Sequence, residues 1–119
     1  MKGLQISVVG DTYTVSEFDG ALDALQAAVG GYIEAFPTRQ GVTVFINEEG
    51  KLQELPVNRL AMDIVSTWDE YRVLEQDYIA GNAVILGGTD RHGNTLNLSQ
   101  RERTYVLNVV EAWGLQLPS

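Results

Sequence analysis

Residues 83–88 read Ala-Val-Ile-Leu-Gly-Gly, and this stretch decides the fold. Its first four residues form a continuous apolar run, which lies between the turn signal Gly81-Asn82 and the pair Gly87-Gly88. Alternating apolar and polar residues indicate a strand with one solvated face, whereas an unbroken apolar run of this length is typical of a strand covered on both faces. We therefore predict a central strand over 83–86.

Segments nearer the N-terminus predict the strands that accompany it. Residues 42–46 read Val-Thr-Val-Phe-Ile, a β-branched, alternating run, and residues 32–36 are also extended. Residues 4–8 and 13–15 alternate on either side of Gly10-Asp11, which is typical of a two-residue hairpin turn. The chain is thus expected to begin with a hairpin.

Two more hairpins are predicted further along. The segment Asn47-Glu48-Glu49-Gly50 is typical of a tight reversal in which Gly50 has a positive φ. The chain is then expected to return as a strand through residues 51–55. A turn at 90–94 precedes a short predicted strand over 95–97.

Three helices follow from apolar residues spaced by three and four positions. The first is expected to begin at Ser16, end at Gly30-Gly31 and bury the stripe Phe18, Leu22, Leu25 and Val29. The second begins near Arg59 with Asn58 as its cap, and the third begins with a capping box formed by Ser99 and Glu102. Residues 66–76 fit either a continued helix or a loop.

These elements predict an α+β fold with a mixed, largely antiparallel sheet built from hairpins and about three helices packed on it. Short connections between strands force antiparallel pairing, which disfavours a doubly wound parallel sheet. The chain has 119 residues, with no internal repeat or linker, and is expected to form a single domain over 1–119.

Composition narrows the class of protein. The absence of cysteine excludes a disulfide framework and a thiolate metal site, so we expect a cytoplasmic protein, and no apolar run is long enough to span a membrane. The net charge of −8 repels phosphate backbones and anionic lipid, so neither direct nucleic-acid binding nor a membrane partner is expected. The acids are scattered, which is typical of a solubilising surface, with an acidic DNA-mimic inhibitor as an alternative.

The search for catalytic chemistry gives no motif. His92, the one histidine, lies between Asp90 and Asn94 in a predicted turn, and a metal or general-base role would need partners from distant parts of the chain. Nucleophile elbows, phosphate-binding loops and calcium loops are absent from the sequence. We predict no catalytic residue, no metal and no cofactor, with a small enzyme using scattered carboxylates and His92 as the alternative.

One helix start combines groups that bind anions. Asn58 at the cap, the first backbone amides of the helix and the cationic side chain of Arg59 form a candidate ligand site. A purely structural role, in which Asn58 caps the helix and Arg59 lies in solvent or pairs with Glu54 or Asp63, explains the same residues. We take Asn58, Arg59 and Asn47 as candidate ligand-binding residues.

The stretch from Leu22 to Gly88 resembles a small family known as domain of unknown function 3846, found in phages, mobile elements and their bacterial and archaeal hosts. The resemblance rests on four segments in order: residues 25–34, which include Gly30-Gly31; residues 44–51, which include Asn47; residues 55–61, which include Asn58; and residues 79–87. It implies a phage or mobile-element context and brings no activity with it.

Together these observations favour a non-enzymatic binding or interaction protein. The expected partner is a host protein or a small anionic ligand, and the protein would act as a phage or mobile-element accessory factor. A homo-oligomer is also expected, because a small sheet built from hairpins has edges that it can hardly cover by itself.

Overall fold

The computed structural model describes residues 1–36, 38, 41–74 and 78–118, except for the side chains at 67 and 69–74. It contains five strands and three helices, which in chain order are β1 (Lys2–Val9), β2 (Thr12–Asp19), α1 (Leu22–Val29), β3 (Ile33–Phe36), β4 (Val42–Asn47), α2 (Arg59–Leu74), β5 (Ala83–Gly87) and α3 (Gln100–Ala112).

The strands form one sheet in the order β2-β1-β5-β4-β3, and every adjacent pair is antiparallel. Strands β1 and β2 form the predicted N-terminal hairpin, whose turn is Gly10-Asp11 with Gly10 at φ 59°. Strands β3 and β4 form a second hairpin, and β5 joins the two hairpins. The α+β class with an antiparallel sheet and three packed helices is confirmed.

Strand β5 is the centre of the molecule, as its apolar run predicts, and all five of its residues are buried. Val84 and Leu86 face α1 and belong to a small core that includes Leu25. On the other face, Ala83 and Ile85 pack into the larger core with α2 and α3. Because the sheet has a core on each face, a central strand without polar residues is the stable arrangement.

The predicted start of the first helix is wrong. Strand β2 pairs with β1 as far as Asp19, and Ser16 lies opposite Gln5 in the ladder instead of capping a helix. Helix α1 begins after Ala21, which makes no side-chain cap hydrogen bond, and ends as predicted at Gly30, whose φ of 79° is left-handed. Phe18 therefore belongs to the strand, where it packs into the small core.

The hairpin predicted at 47–55 is also wrong. The Asn47 side chain accepts a hydrogen bond from the Glu49 amide (2.8 Å), and the chain then coils through turns in which the Leu55 amide donates to the Gly50 carbonyl (3.0 Å). Gly50 does not have a positive φ, and Leu52 is 85% exposed. Strand β4 already has β3 and β5 as neighbours, so its edges cannot accept a returning strand.

Two further expectations have mixed outcomes. Residues 95–97 do not form a strand: Thr89 and Thr95 form an isolated bridge, and Leu96 exchanges backbone hydrogen bonds with Gly87 and Gly88. In the region left open, α2 continues to Leu74, so the helical alternative holds that far, and residues 75–77 lie outside the described part. None of the described helices is long and apolar enough to cross a membrane.

Candidate interaction surface

Asn58 is completely buried, and its side chain joins three parts of the fold. Its Nδ2 donates to the carbonyl of Ile6 in β1 (3.1 Å) and to that of Gly81 before β5 (2.9 Å). Its Oδ1 accepts from the Ala61 amide (3.0 Å), the N-cap bond predicted from the sequence. Both amide hydrogens and the carbonyl of the side chain are thus used within the chain.

Two other asparagines make similar internal bonds. Asn47 is 4% exposed and donates to the Val29 carbonyl at the end of α1 (3.1 Å). Asn82, which the sequence analysis did not single out, accepts from the Val8 amide (3.0 Å) and donates to the Ala28 carbonyl (3.0 Å). Each side chain therefore satisfies backbone groups at the end of an element, a structural use of asparagine. A ligand role for Asn47 or Asn58 stays a prediction.

The start of α2 already has internal hydrogen-bond acceptors. The Arg59 amide donates to the Tyr13 hydroxyl (3.1 Å), and the Ala61 amide donates to Asn58. The Arg59 side chain is exposed and makes no ion pair with a described residue. The structure therefore brings Asn58 and Arg59 together at the helix start but turns only the Arg59 side chain toward solvent.

Aromatic side chains surround this helix start. Trp113, just after α3, meets Tyr13 edge-on at 5.4 Å between ring centroids, and its indole N–H donates to the Asp63 carboxylate (2.8 Å). The Tyr13 hydroxyl lies 3.4 Å from the Val57 carbonyl oxygen. Val57 and Trp113 are each 37% exposed. We call Tyr13, Val57, Arg59 and Trp113 the aromatic surface.

A groove continues from the aromatic surface along the outer edge of β2. Its volume is about 460 Å³, and it lies between residues 13–17 of the strand and residues 116–118 of the C-terminal segment. Tyr13 and Leu117 line it together, and Leu117 is 39% exposed. We call this the edge groove.

An ion pair lies where the edge groove ends. The Arg103 guanidinium of α3 binds the Glu17 carboxylate through two N–H groups, one of them at 2.7 Å. These hydrogen bonds and the positive charge of Arg103 lower the pKa of Glu17 below its usual value. Glu17 therefore remains ionised at neutral pH, and Arg103 holds β2 against α3.

The residues considered for catalysis lie apart from these features. His92 is exposed in the 90–94 turn, where the Asp90 carboxylate accepts hydrogen bonds from the amides of His92 (2.8 Å) and Asn94 (2.9 Å). These bonds lower the pKa of Asp90. Within the described ranges, no group of three histidine or carboxylate side chains is close enough to hold a metal ion. The enzymatic alternative gains no geometric support from these residues.

The sequence predicts neither Tyr13 nor Trp113 as part of this surface. Tyr13 fits an ordinary position of a predicted strand, and Trp113 fits the helical spacing of the apolar residues that the last helix is expected to bury. Trp113 is the final cap position of α3 and remains over a third exposed. The two residues are a hundred positions apart, so no local pattern connects them.

Comparison with known proteins gives one match. A family model described as "Domain of unknown function (DUF3846)" matches residues 1–111, which include all five strands and most of α3. The search of curated proteins and the search of solved structures found no significant match.

Proposed function

The chain belongs to the DUF3846 family, and we propose that it is a non-enzymatic binding protein that engages a partner protein through the aromatic surface. The observation that carries the proposal is the contact of Tyr13 with Trp113 at the start of α2, where the Arg59 amide donates to Tyr13 and the Arg59 side chain is exposed. The partner is a protein of the host of the phage or mobile element, the context implied by the resemblance of the sequence.

The residue types support a binding role. Tryptophan, tyrosine and arginine are the residues most often found at energetic hot spots of protein interfaces, because they combine a large apolar area with hydrogen-bonding groups. Val57 and Trp113 expose enough of their side chains to contact a partner.

The surface is also preorganised. Asp63 holds the Trp113 indole, and the Arg59 amide holds the Tyr13 hydroxyl, so the two rings already have fixed orientations. A surface whose side chains are already ordered loses little conformational entropy when it binds. Binding can therefore use most of the free energy gained by burying the rings.

A small anionic ligand at Asn58 and Arg59 is less well supported. An anion at a helix start needs backbone amides directed at it. The amides of Arg59 and Ala61 instead donate to Tyr13 and Asn58, as described above. The acidic DNA mimic has no specific observation in its favour, since Glu17, Asp63 and Glu102 accept hydrogen bonds from side chains of the chain itself.

The test is an affinity capture from host lysate with the wild type, Trp113→Ala, Arg59→Ala and a control, Tyr32→Ala. Tyr32 is 72% exposed, so the control removes an exposed aromatic ring away from the aromatic surface. We expect one partner to be retained by the wild type and the control and to be lost from both surface variants.

The affinity of that partner, once purified, is then measured by calorimetry. Loss of a hot-spot side chain costs about 2 kcal/mol or more, so Trp113→Ala should weaken binding about 30-fold. The proposal fails if no captured protein depends on Trp113 and Arg59, or if Tyr32→Ala weakens binding as much as they do. Circular dichroism of each variant controls for loss of fold.

A further inference from the structure

The hydrogen bonds of β1 reveal which way each backbone group of the hairpin points. The Lys2 amide donates to Asn97, the Lys2 carbonyl accepts from Leu98, and the Val8 amide donates to Asn82, all on the β5 side. Bonding direction alternates along a strand. Even-numbered residues of β1 therefore bond toward β5, and odd-numbered residues bond toward β2.

The register carries this alternation into β2. Ser7 lies opposite Thr14 and Gln5 lies opposite Ser16, so Thr14 and Ser16 bond to β1. Met1 continues the odd-numbered series of β1 and Gly20 the even-numbered series of β2, and these two residues exchange both of their backbone bonds, at 2.8 and 3.0 Å. The amides and carbonyls of the intervening residues, namely Tyr13, Val15 and Glu17, consequently point away from the sheet.

These outward groups have no hydrogen-bond partner in the described part of the chain. Strand β2 is one of the two edge strands of the sheet, and it pairs with β1 without interruption from Thr12 to Asp19. Edge strands are usually protected by charged side chains, lysine above all, by a proline, by a bulge or by a covering loop. Strand β2 has no proline, lysine or bulge, the Glu17 carboxylate is paired with Arg103, and the edge groove separates residues 13–17 from the neighbouring segment 116–118.

We propose that an extended segment of the partner protein enters the edge groove and pairs with β2 as a sixth strand. The backbone groups of Tyr13, Val15 and Glu17 supply the hydrogen bonds, and the adjoining aromatic surface supplies the side-chain contacts. Strand addition to an exposed sheet edge is an established mode of peptide recognition. The span from Tyr13 to Glu17 is about 13 Å, which a five-residue strand covers.

Charge indicates that the incoming segment is basic. The chain carries −8, and β2 contains Glu17 and Asp19 but neither lysine nor arginine. Arg103 compensates the charge of Glu17, and Arg59 lies in the adjoining aromatic surface, so the attraction comes from Asp19 and from the net charge of the whole chain. A basic segment is attracted to such an edge, and an acidic one is repelled. A second copy of this chain would bring the same acidic strand and the same net charge, so self-pairing is disfavoured.

The matched variants Glu17→Pro and Glu17→Ala test the proposal, which rests on the proposed function. Both variants lose the carboxylate and its ion pair with Arg103, but only proline removes the outward amide and places a ring against an incoming strand. Since the Glu17 amide does not bond to β1, proline is tolerated there by the hairpin.

The probe is a set of twelve-residue peptides selected from a random displayed library with the wild-type protein as bait. We expect the selected peptides to be enriched in lysine and arginine. Their affinity should be at least tenfold lower for Glu17→Pro than for Glu17→Ala. Failure to enrich any peptide, enrichment without basic residues, or equal affinities for the two variants overturns the proposal.

Amide hydrogen exchange of the wild-type protein tests the same proposal without any substitution, so misfolding of a variant cannot affect the result. In the free protein, the amides of Tyr13, Val15 and Glu17 should exchange quickly and those of Thr14 and Ser16 slowly. Binding of a selected peptide should slow the exchange of the amides of Tyr13, Val15 and Glu17. Outward amides that are already protected in the free protein, in proportion to its concentration, would instead show that a second copy occupies the edge.

The two proposals fail in different ways. Partner binding that depends on Trp113 and Arg59 but is equal for Glu17→Pro and Glu17→Ala supports the aromatic surface and overturns strand addition. Peptide binding that depends on the outward amide, with no cellular partner that depends on Trp113, leaves the groove as a strand-binding site and overturns the proposed function.

Discussion

Substitution of Asn58 can separate its role as a helix cap from its role in joining β1 and the segment before β5 to α2. Asn58→Ser keeps a hydroxyl that can accept the Ala61 amide, but it removes the donors to the carbonyls of Ile6 and Gly81. Asn58→Ala removes all three hydrogen bonds. Comparison of the two variants measures the donors apart from the cap.

The size of the effect follows from the burial of these groups. A buried polar group that loses its partner costs about 1 to 3 kcal/mol, and Asn58 is completely buried. We expect Asn58→Ser to lower the free energy of unfolding by about 2 to 3 kcal/mol, and Asn58→Ala by about 1 kcal/mol more for the lost cap. The free energy of unfolding of a domain of this size is about 5 to 15 kcal/mol in total, so the loss in either variant is a large part of it.

Guanidinium unfolding followed by tryptophan fluorescence measures both variants. The midpoint should fall while the dependence on denaturant concentration stays constant, which is the signature of a change in stability alone. If Asn58→Ser lies within about 0.5 kcal/mol of the wild type, the cap alone explains the asparagine, and the reasoning from its donors is refuted.

Two more predictions concern the sheet. Because hydrogen bonds from Arg103 lower the folded-state pKa of Glu17, the pair stabilises the protein above the ordinary carboxylate range and loses this contribution as pH falls through the lowered pKa. The pair is partly exposed, so Glu17→Gln should lower the free energy of unfolding by less than about 1 kcal/mol at pH 7 and by progressively less as pH falls below the ordinary carboxylate range, as thermal unfolding would show. A Cβ on Gly3 would lie 2.0 Å from the Ile85 carbonyl oxygen, whereas one on Gly41 meets nothing within 4 Å. Gly3→Ala should therefore lower the free energy of unfolding by about 3 kcal/mol or more, and Gly41→Ala by less than about 0.5 kcal/mol, as measured by denaturant unfolding. Equal losses of stability in the two variants would contradict the close approach of β1 and β5.

Much of the fold could be predicted because local patterns and tertiary contacts agree. The apolar run at 83–86 identifies the central strand, and Asn58 and Ser99 mark the starts of α2 and α3. Ser99 accepts from the Glu102 amide as a capping box requires, although the Glu102 carboxylate turns instead to the Trp68 indole (2.9 Å). Local signals of this kind are reliable where a hydrogen bond is made within a few residues.

Two incorrect predictions, the start of the first helix and the return strand after Asn47, occur where the sheet has a core on each face. Val15 points into the larger core and Phe18 into the smaller one, so β2 buries residues three positions apart. That spacing reads as a helix when only one buried face is assumed. The return strand predicted after Asn47 failed for a related reason, because β4 pairs with β5, a partner from about forty residues away.

The candidate surfaces were only partly predictable. Arg59 was identified from its place at a helix start, but the contact of Tyr13 with Trp113 depends on how α3 packs beside the hairpin. The exposure of the β2 edge depends on the strand order, which connects residues distant in sequence. No motif marks either feature, since both arise from the topology of the whole sheet.

The central position of β5 has a consequence for how the chain acquires its structure. The hairpins β1-β2 and β3-β4 are local and can form early, but they share no edge until residues 83–87 insert between them. During synthesis, the first half of the chain therefore presents two separate hairpins, each with apolar side chains awaiting cover. We expect folding to be limited by the insertion of β5, with a rate set by long-range pairing rather than by turn formation.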